Sequence, residues 1–465
     1  MYQNHQLKII NAIILAACFA ANSFSAMAES VDPKVDRVRQ DLGYYQDATE
    51  TTAANTLALQ TQGLSAEIRQ VIEQQNNRLQ KVEEELKQLK GKVSALTPAV
   101  PAPAISAAPQ TNPAGVAAPS PVAAKTHNGD LTVCAQGCDF QDLQQAVDAA
   151  PAGGTITLAA EINGTCAVIN KAVTIRGQRA EDGTRSRLVG GVCDGKSPLV
   201  TIAKDIVIEN LEISGVQVAD GTGACIRMDP GTSDLTLRNI HCHDTQMGLL
   251  GKCKGRFLLE DSLIENTAPG PLLGHAVYLS GGDEGIIRRC KILSATHAGH
   301  TLKTGFQKLT VEDSVLAALN SHNSRAVDAF GGGELVLRRN VIQQGPESDN
   351  SDVIGFGLEP DRLLPRGHSV LVEDNWIIFD NQNRWHKVLI HGQELGPFVV
   401  RNNALVGMNA LGAGSVKEEG DKWFETREQA GLPKYDGTLA SLPNPGHGPK
   451  ANAAPSQIKK PGWLF

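Results

Sequence analysis

Eight segments of the 465-residue chain repeat one pattern. They read IVIENLEI from Ile206, LTLRNIHC from Leu235, FLLEDSLI from Phe257, GIIRRCKI from Gly285, LTVEDSVL from Leu309, LVLRRNVI from Leu335, VLVEDNWI from Val370 and FVVRNNAL from Phe398. Each is apolar-x-apolar, a charged residue, a polar residue, then a return to apolar. The shared anchor falls at Ile208, Leu237, Leu259, Ile287, Val311, Leu337, Val372 and Val400, in steps of 29, 22, 28, 24, 26, 35 and 28 residues. The apolar positions alternate, which is the period of a strand; a helix would repeat every 3.6 residues. Rungs of this length made of short strands define a parallel β-helix, in which each rung buries its inward side chains on the rungs above and below. Asn210, Asn239, Asn340 and Asn403 fall at or near one turn, where stacked amides are expected to form a ladder.

The open ends of such a solenoid need cover, because unpaired strand edges invite aggregation. DFQDLQQAVDAA, residues 139–150, predicts an amphipathic helix with Asp139 as its cap, followed by PAGGTITL as the first strand. Residues 413–465 lose the rung pattern, contain Trp423, Phe424 and Trp463, and read as a C-terminal cover and tail. With this rung pattern and helical cover, residues 127–412 resemble the right-handed parallel β-helix superfamily, the pectate-lyase-like proteins. The resemblance implies an all-β, single-stranded, right-handed parallel β-helix. That fold hosts lyases, hydrolases, epimerases and inert spikes, so function has to be argued from a site.

Residues 1–28 read as an export signal: Lys8, an apolar run from Ile9 to Ala21, and a small-x-small site at Ala26-Met27-Ala28. Leu15-Ala16-Ala17-Cys18 offers a rival, a lipobox that would lipidate Cys18. The expected location is periplasmic or secreted, with a lipid tether as the variant. In residues 29–96, Leu79, Val82, Leu86, Leu89, Val93 and Leu96 alternate by three and four, with Arg78, Glu83, Glu85 and Lys90 on the flanks. This predicts a coiled-coil stalk that joins copies of the chain into a homo-oligomer. Residues 97–126 form an Ala/Pro-rich linker that cannot build a core. Beyond Cys18 eight cysteines remain, an even number that suggests disulfides in an exported chain. Cys134–Cys138 and Cys166–Cys193 are the expected pairs; Cys225, Cys242, Cys253 and Cys290 are left open. A net charge of −7 gives no basic footprint and speaks against a nucleic-acid partner.

The phrases GHAVYLSG, 274–281, and GHTLKTG, 299–305, occupy the same slot of successive rungs. That slot reads His275-Ala-Val-Tyr278, His300-Thr-Leu-Lys303 and Arg325-Ala-Val-Asp328 at spacings of 25, then Asp352-Val-Ile-Gly355 at 27. Val277, Leu302, Val327 and Ile354 should point inward. Tyr278, Lys303 and Asp328 should then stack in an outward column, about 4.8 Å apart per rung. Ala276, Thr301 and Ala326 should form a column of small residues that leaves room for a ligand. His275, His300, Arg325 and Asp352 should lie half exposed at the corner. The matching positions near Leu249 and Leu250, and near Leu389 and Ile390, are largely apolar. Titratable groups concentrated on one otherwise bland face mark a candidate site.

These groups suit removal of the proton alpha to a uronate carboxylate. Arg325 has the planar fork to neutralise the carboxylate. His300, Lys303 or Tyr278 can take the proton, and Tyr278 or His275 can supply one. The resemblance points the same way, since β-helix lyases and epimerases use Lys, Arg, His and Tyr in these roles. Asp328 beside Lys303 favours the charged lysine, so His300 is the expected base and Lys303 the holder of substrate charge. Asp328, Asp352, Glu359 and Thr301 are assigned to substrate binding. The expected partner is an acidic, uronate-type polysaccharide, cut by β-elimination or altered by C5-epimerisation. The rival from another class is a non-catalytic glycan-binding or structural β-helix, whose stalk gives avidity. In that case Lys303, Asp328 and Arg325 merely tie rungs together. A hydrolase using Asp328, Asp352 and Glu359 ranks third, because the slot carries only one carboxylate per rung.

No cofactor or metal is required by this chemistry, although the resemblance allows Ca2+, to which Asp283-Glu284 would contribute. His241-Cys242-His243-Asp244 puts two histidines on one strand face without an evident third ligand. GGVCDGKS, 190–197, matches a phosphate-binding loop, but Pro198 and a strand-like run follow where that motif needs a helix. HGQELG, 391–396, is a further polar spot two rungs away that would extend a glycan groove.

Overall fold

A computed structural model describes residues 130–446, apart from 160, 180, 182, 268–273, 366, 394 and 413–415. The export signal, the coiled-coil stalk and the linker lie outside the described residues.

The repeated segments pair in parallel and in register. The anchors Ile208, Leu237, Leu259, Ile287, Val311, Leu337, Val372 and Val400 are consecutive partners. All eight are fully buried. They belong to the first of three stacks of strands. The second stack runs from Glu161–Asn163 and Ser186–Val189 through Leu263–Thr267, Lys291–Leu293, Val315–Ala317 and Val341–Gln344 to Lys422–Phe424. The third includes Ala224–Met228, the N-terminal parts of Val277–Arg288 and Leu302–Glu312, and then Val327–Ala329, Asp352–Phe356 and Val388–Gly392. One strand of each stack per turn makes a parallel β-solenoid around a single apolar interior.

The corner between the first two stacks comes two residues after each anchor. Asn210, Asn239, Asp261, Arg289, Asp313, Arg339, Asp374 and Asn402 all have φ between 52° and 59°. Asn and Asp tolerate this left-handed region best, which explains their frequency here. The expected single asparagine ladder is two features, one residue apart. Asn239 Nδ2 donates to Asn210 Oδ1 (2.8 Å) at the left-handed position. Asn340, Asn375 and Asn403 are buried at the next position. There the backbone N–H of Asn340 donates to Asn375 Oδ1 (2.8 Å) and that of Asn375 to Asn403 Oδ1 (2.9 Å). These amides satisfy N–H groups that the turn takes out of the sheet ladder.

Parallel in-register stacking places identical positions side by side, so like charges would repel. The chain alternates them. One residue after each anchor it carries Glu209, Arg238, Glu260, Arg288, Glu312, Arg338, Glu373 and Arg401, each opposite its neighbour in register. Arg238 bridges Glu209 (3.2 Å) and Glu260 (2.7 Å), and Arg288 closes on Glu260 at 2.7 Å.

A helix spans Leu143–Ala149 and buries Leu143, Ala146 and Val147. Its cap is Asp142, which accepts from the Gln145 N–H at 2.9 Å. Asp139, the expected cap, instead accepts from the backbone N–H and hydroxyl of Thr132. At the other end, Val416–Glu419 and Lys422–Phe424 still pair with the preceding turn, so the solenoid continues past residue 412. The segment that follows lies along the flank. Ala430 and Leu442 are buried against Val315, Ala317, Val341 and Ile378 on the outer side of the second stack. The Gly446 N–H reaches Arg339 O at 2.8 Å.

The disulfides Cys134–Cys138 and Cys166–Cys193 form, and Cys225–Cys242 adds a third. Cys253 and Cys290 are buried thiols. Burial pushes them up to about 11 and about 12, so they are poor nucleophiles. Cys225–Cys242 ties the third stack to the second across the core. Its removal as Cys225→Ala with Cys242→Ala is expected to cost about 2–4 kcal/mol, read as a lower urea midpoint. In the phosphate-loop look-alike, Lys196 pairs with Asp229 (2.6 Å), and the strand Leu199–Thr201 follows.

Candidate active site

The expected column is in register, with Asp328 covered where an outward position was expected. Tyr278, Lys303, Asp328, Gly355 and His391 are successive register partners. Val277, Leu302, Val327 and Ile354 are fully buried behind them. Lys303 Nζ lies 2.6 Å from Glu359 Oε1 and 3.8 Å from Asp328 Oδ2. It also stands 5.4 Å from the Tyr278 ring centroid and 5.3 Å from that of Phe330. Glu359 and Arg362 arrive on the connection after Asp352–Phe356, where Pro360–Arg362 is a short 3-10 turn. Arg362 donates to Glu359 Oε2 (2.7 Å) and stacks on Phe330 at 3.9 Å; burial works against its charge, and the nearby Tyr278 and Glu359 outweigh it. The Tyr278 ring therefore lies beside two cations that share one carboxylate.

The inner column differs from the expectation. His275 and His300 are 4% and 7% exposed, where half exposure was expected. Their rings stack at 5.3 Å, one per rung, with an interplanar angle of 1°. The His300 N–H donates to His275 Nδ1 (2.8 Å), and the Arg325 N–H donates to His300 Nδ1 (3.2 Å). A neutral imidazole has one acceptor nitrogen. In both rings that nitrogen is occupied by a backbone N–H. His300 Nε2 consequently carries the hydrogen and faces Asp328 Oδ2 at 3.3 Å. His300 thus has no lone pair to receive a substrate proton, and the expected base is a wall residue. Burial, with His275, Lys303 and Arg325 nearby, holds its pKa down to about 2. Burial and Lys303 hold His275 down to about 3.

Both histidines stay neutral in the fold and become protonated on unfolding below about pH 6.5. The unfolded state then binds more protons, so stability falls as pH falls from about 6.5. The slope is about 1 kcal/mol per pH unit for each ring. A His275→Gln, His300→Gln variant should flatten the decline between pH 6.5 and 4.5, measured by urea unfolding.

Arg325 Nε is bonded to Asp352 Oδ2. Its charge is met within the wall by Asp352, where an open fork for a substrate carboxylate was expected. Thr301 is fully buried, with Oγ1 accepting from Asn323 Nδ2 (3.3 Å), so it lines no surface. Ala276 and Ala326 are equally buried. Asp328 is 3% exposed, and its Oδ1 has no hydrogen-bond partner. Burial raises its carboxyl above the usual range, against the pull of Lys303 and Arg325. Gly355, next in the column, makes the room: a Cβ there would lie 2.5 Å from Asp328 Oδ1.

Phe330 and Arg362 join the site without a signal in the repeated slot itself. Phe330 closes the frame from behind and is buried. Arg362 belongs to the 35-residue step between Leu337 and Val372, and that excess length was the signal for an added loop. His391, the first residue of the polar segment 391–396, is the exposed next member of the column, 3.8 Å from Asp352 Oδ1. The HGQELG spot thus continues the same face. Asp283 and Glu284 do not fit a calcium cage, because Asp283 accepts from the Gly255 N–H (2.7 Å) and Glu284 pairs with Lys308 (3.3 Å).

No protein-family model matches the sequence, and no curated protein matches it. Among solved structures the chain is similar to an alginate lyase from Paenibacillus sp. str. FPU-7, with 17% identity and a TM-score of 0.39, covering 61% of this chain and 94% of that one. It is also similar to the A-module of a mannuronan C-5 epimerase from Azotobacter vinelandii, with 11% identity and a TM-score of 0.37, covering 61% and 91%. Likenesses this distant carry no argument about activity; the parallel β-solenoid rests on the strand pairing itself.

Proposed function

We propose that the Tyr278 face removes the C5 proton of a uronate residue in an acidic polysaccharide and cleaves the chain by β-elimination. The observation that carries this reading is the Tyr278 ring beside the Lys303 ammonium, 5.4 Å from its centroid, and near the Arg362 guanidinium. Lys303 and Arg362, whose side chains are 13% and 36% exposed and which share Glu359, are the recognition element for a uronate carboxylate that competes with Glu359 for them. Their charge stabilises the carbanion that forms when the C5 proton leaves. Lys303, between Glu359 and Asp328, is a charged binder and not a base. With His300 filled, Tyr278 is the remaining group in the frame that can move a proton. The deprotonated Tyr278 oxygen takes the C5 proton, the C5–H electrons form the C4=C5 double bond, the C4–O4 bond breaks, and the phenol so formed gives that proton to the leaving oxygen, which regenerates the phenolate. Glu359 positions the two cations. A single proton carrier suits elimination on one face. Epimerisation, which shares the first step, needs a second donor on the opposite face of the sugar.

The reading extends to an exported protein, which the three disulfides support, carried on an oligomerising stalk. The test is incubation of the purified protein with a panel of polyuronates. Unsaturated ends are followed by ultraviolet absorbance and C5 exchange by NMR. New double bonds support the proposal; exchange without cleavage makes the site an epimerase; neither signal with any polymer removes the catalytic reading.

A further inference from the structure

His241 and His243 lie on the outward side of the second stack, on a different face from Tyr278. The sequence showed two histidines without a third ligand. The fold supplies one from the rung before, Glu212, the register partner of His241. His243 Nε2 lies 3.2 Å from Glu212 Oε1, and His241 Nδ1 lies 3.9 Å from Glu212 Oε2. One ligand atom from each of the three residues falls within 4.8 Å of the others. None of the three is fully buried, and the group faces solvent on one side.

The far nitrogens decide how the two rings point. His241 Nε2 is held by Glu265 Oε1 at 2.9 Å, and His243 Nδ1 by Asp244 Oδ2 at 2.7 Å. A carboxylate on the outer nitrogen fixes the tautomer and turns the other nitrogen's lone pair inward, the arrangement that surrounds metal-bound histidines. Both inward nitrogens face the same carboxylate. The charges point the same way. Four carboxylates gather here: Glu161, Glu212, Asp244 and Glu265. Arg187 pairs with two of them, Glu161 and Glu212, each at 2.8 Å. Among the described residues, Asp244 pairs with His243 and Glu265 with His241.

We propose that Glu212, His241 and His243 bind a divalent first-row transition cation, with Zn2+ as the best match. Two imidazoles and one carboxylate form a three-ligand zinc set that leaves the fourth position to solvent. Bond lengths of about 2.0–2.2 Å require the side chains to close by roughly 1 Å, and Arg187 gives up its contact with Glu212 while keeping Glu161. The cation would join consecutive rungs at the point where Cys225–Cys242 already fastens the same strand from the inside.

The full chain, stripped with chelator and dialysed, is titrated with Zn2+ by calorimetry and analysed for bound metal. The expected result is one Zn2+ per chain, with a higher Tm in zinc than in chelator. His241→Ala and His243→Ala should each abolish that site. Glu265→Gln, which leaves all three ligands in place, should weaken it about 10–100-fold. Circular dichroism of each variant without metal checks the fold. X-ray absorption should show nitrogen and oxygen around the zinc. Equal binding by wild type and the histidine variants, sulfur in the shell from Cys253 or Cys290, or a Tm that drops in the variants without any dependence on zinc would overturn the proposal. The last outcome would make the cluster an ion-pair clasp between rungs.

Discussion

Tyr278→Phe is expected to lower the elimination rate by about 10²–10⁴-fold, the range carried by a positioned proton-transfer group. The change removes one oxygen from a half-buried ring and leaves its edge contacts with His275 and Phe330 in place. Polymer affinity should therefore survive, because Lys303 and Arg362 hold the carboxylate. Lys303→Ala should behave differently. It removes a substrate cation and leaves Asp328 and Glu359 facing each other, so binding and turnover fall together. The check is a steady-state comparison of kcat and KM with matched melting curves. If Tyr278→Phe turns over as the wild type does while His300→Gln loses activity without loss of stability, the proton carrier has been misassigned.

Glu260→Ala should be among the most destabilising surface-facing substitutions in the solenoid. Its carboxylate is 3% exposed and takes charge-assisted bonds from three guanidiniums: Arg238 at 2.7 Å, Arg288 at 2.7 Å and Arg289 at 2.8 Å. Burial works to raise its pKa, but the bonds from Arg238, Arg288 and Arg289 outweigh it and hold it at about 2. Truncation leaves three cations together at the centre of an alternating ladder. The guanidiniums remain partly hydrated, so the cost falls at the low end of the buried-pair range, about 3 kcal/mol. The sign with pH follows from the depressed value. The stabilisation is complete above the unfolded value of about 4.3 and disappears as pH falls towards 2. Wild type and Glu260→Ala should therefore differ most in urea midpoint near neutral pH and converge in acid. A constant difference down to pH 2 would mean that packing, and not charge, sets the loss.

Much of the solenoid was legible because its rule is local and repeated. An apolar residue at each anchor, every 22 to 35 residues, needs only the alternation of strand faces to be read as a stack. The outward line of Tyr278, Lys303 and Asp328 followed from that register. The alternation of Glu209, Arg238, Glu260, Arg288, Glu312, Arg338, Glu373 and Arg401 was equally present in the sequence and was read only as a charged position. What failed depended on corners and on loops. His275 and His300 lie where the chain leaves the sheet pattern, and their burial follows from backbone N–H groups that need acceptors. Nothing in the residue types tells such a histidine from an exposed one. Asn340 and Asn210 differ by one position relative to their anchors, which at a turn separates a buried amide from a left-handed one. Arg362 comes from outside the repeat, so periodicity could not place it beside Tyr278. Glu212 was within reach: it holds the same position as His241 in the aligned segments from Ile206 and Leu235, and the register makes them partners.

The most direct test of the central claim is the absorbance time course of the wild-type protein on polyuronate polymers, with a neutral polysaccharide as control. The account predicts a steady rise from unsaturated ends on at least one polyuronate and none on the neutral chain. A flat trace on every polyuronate, from protein that is folded and binds them, would contradict it and leave the Tyr278 face a binding surface.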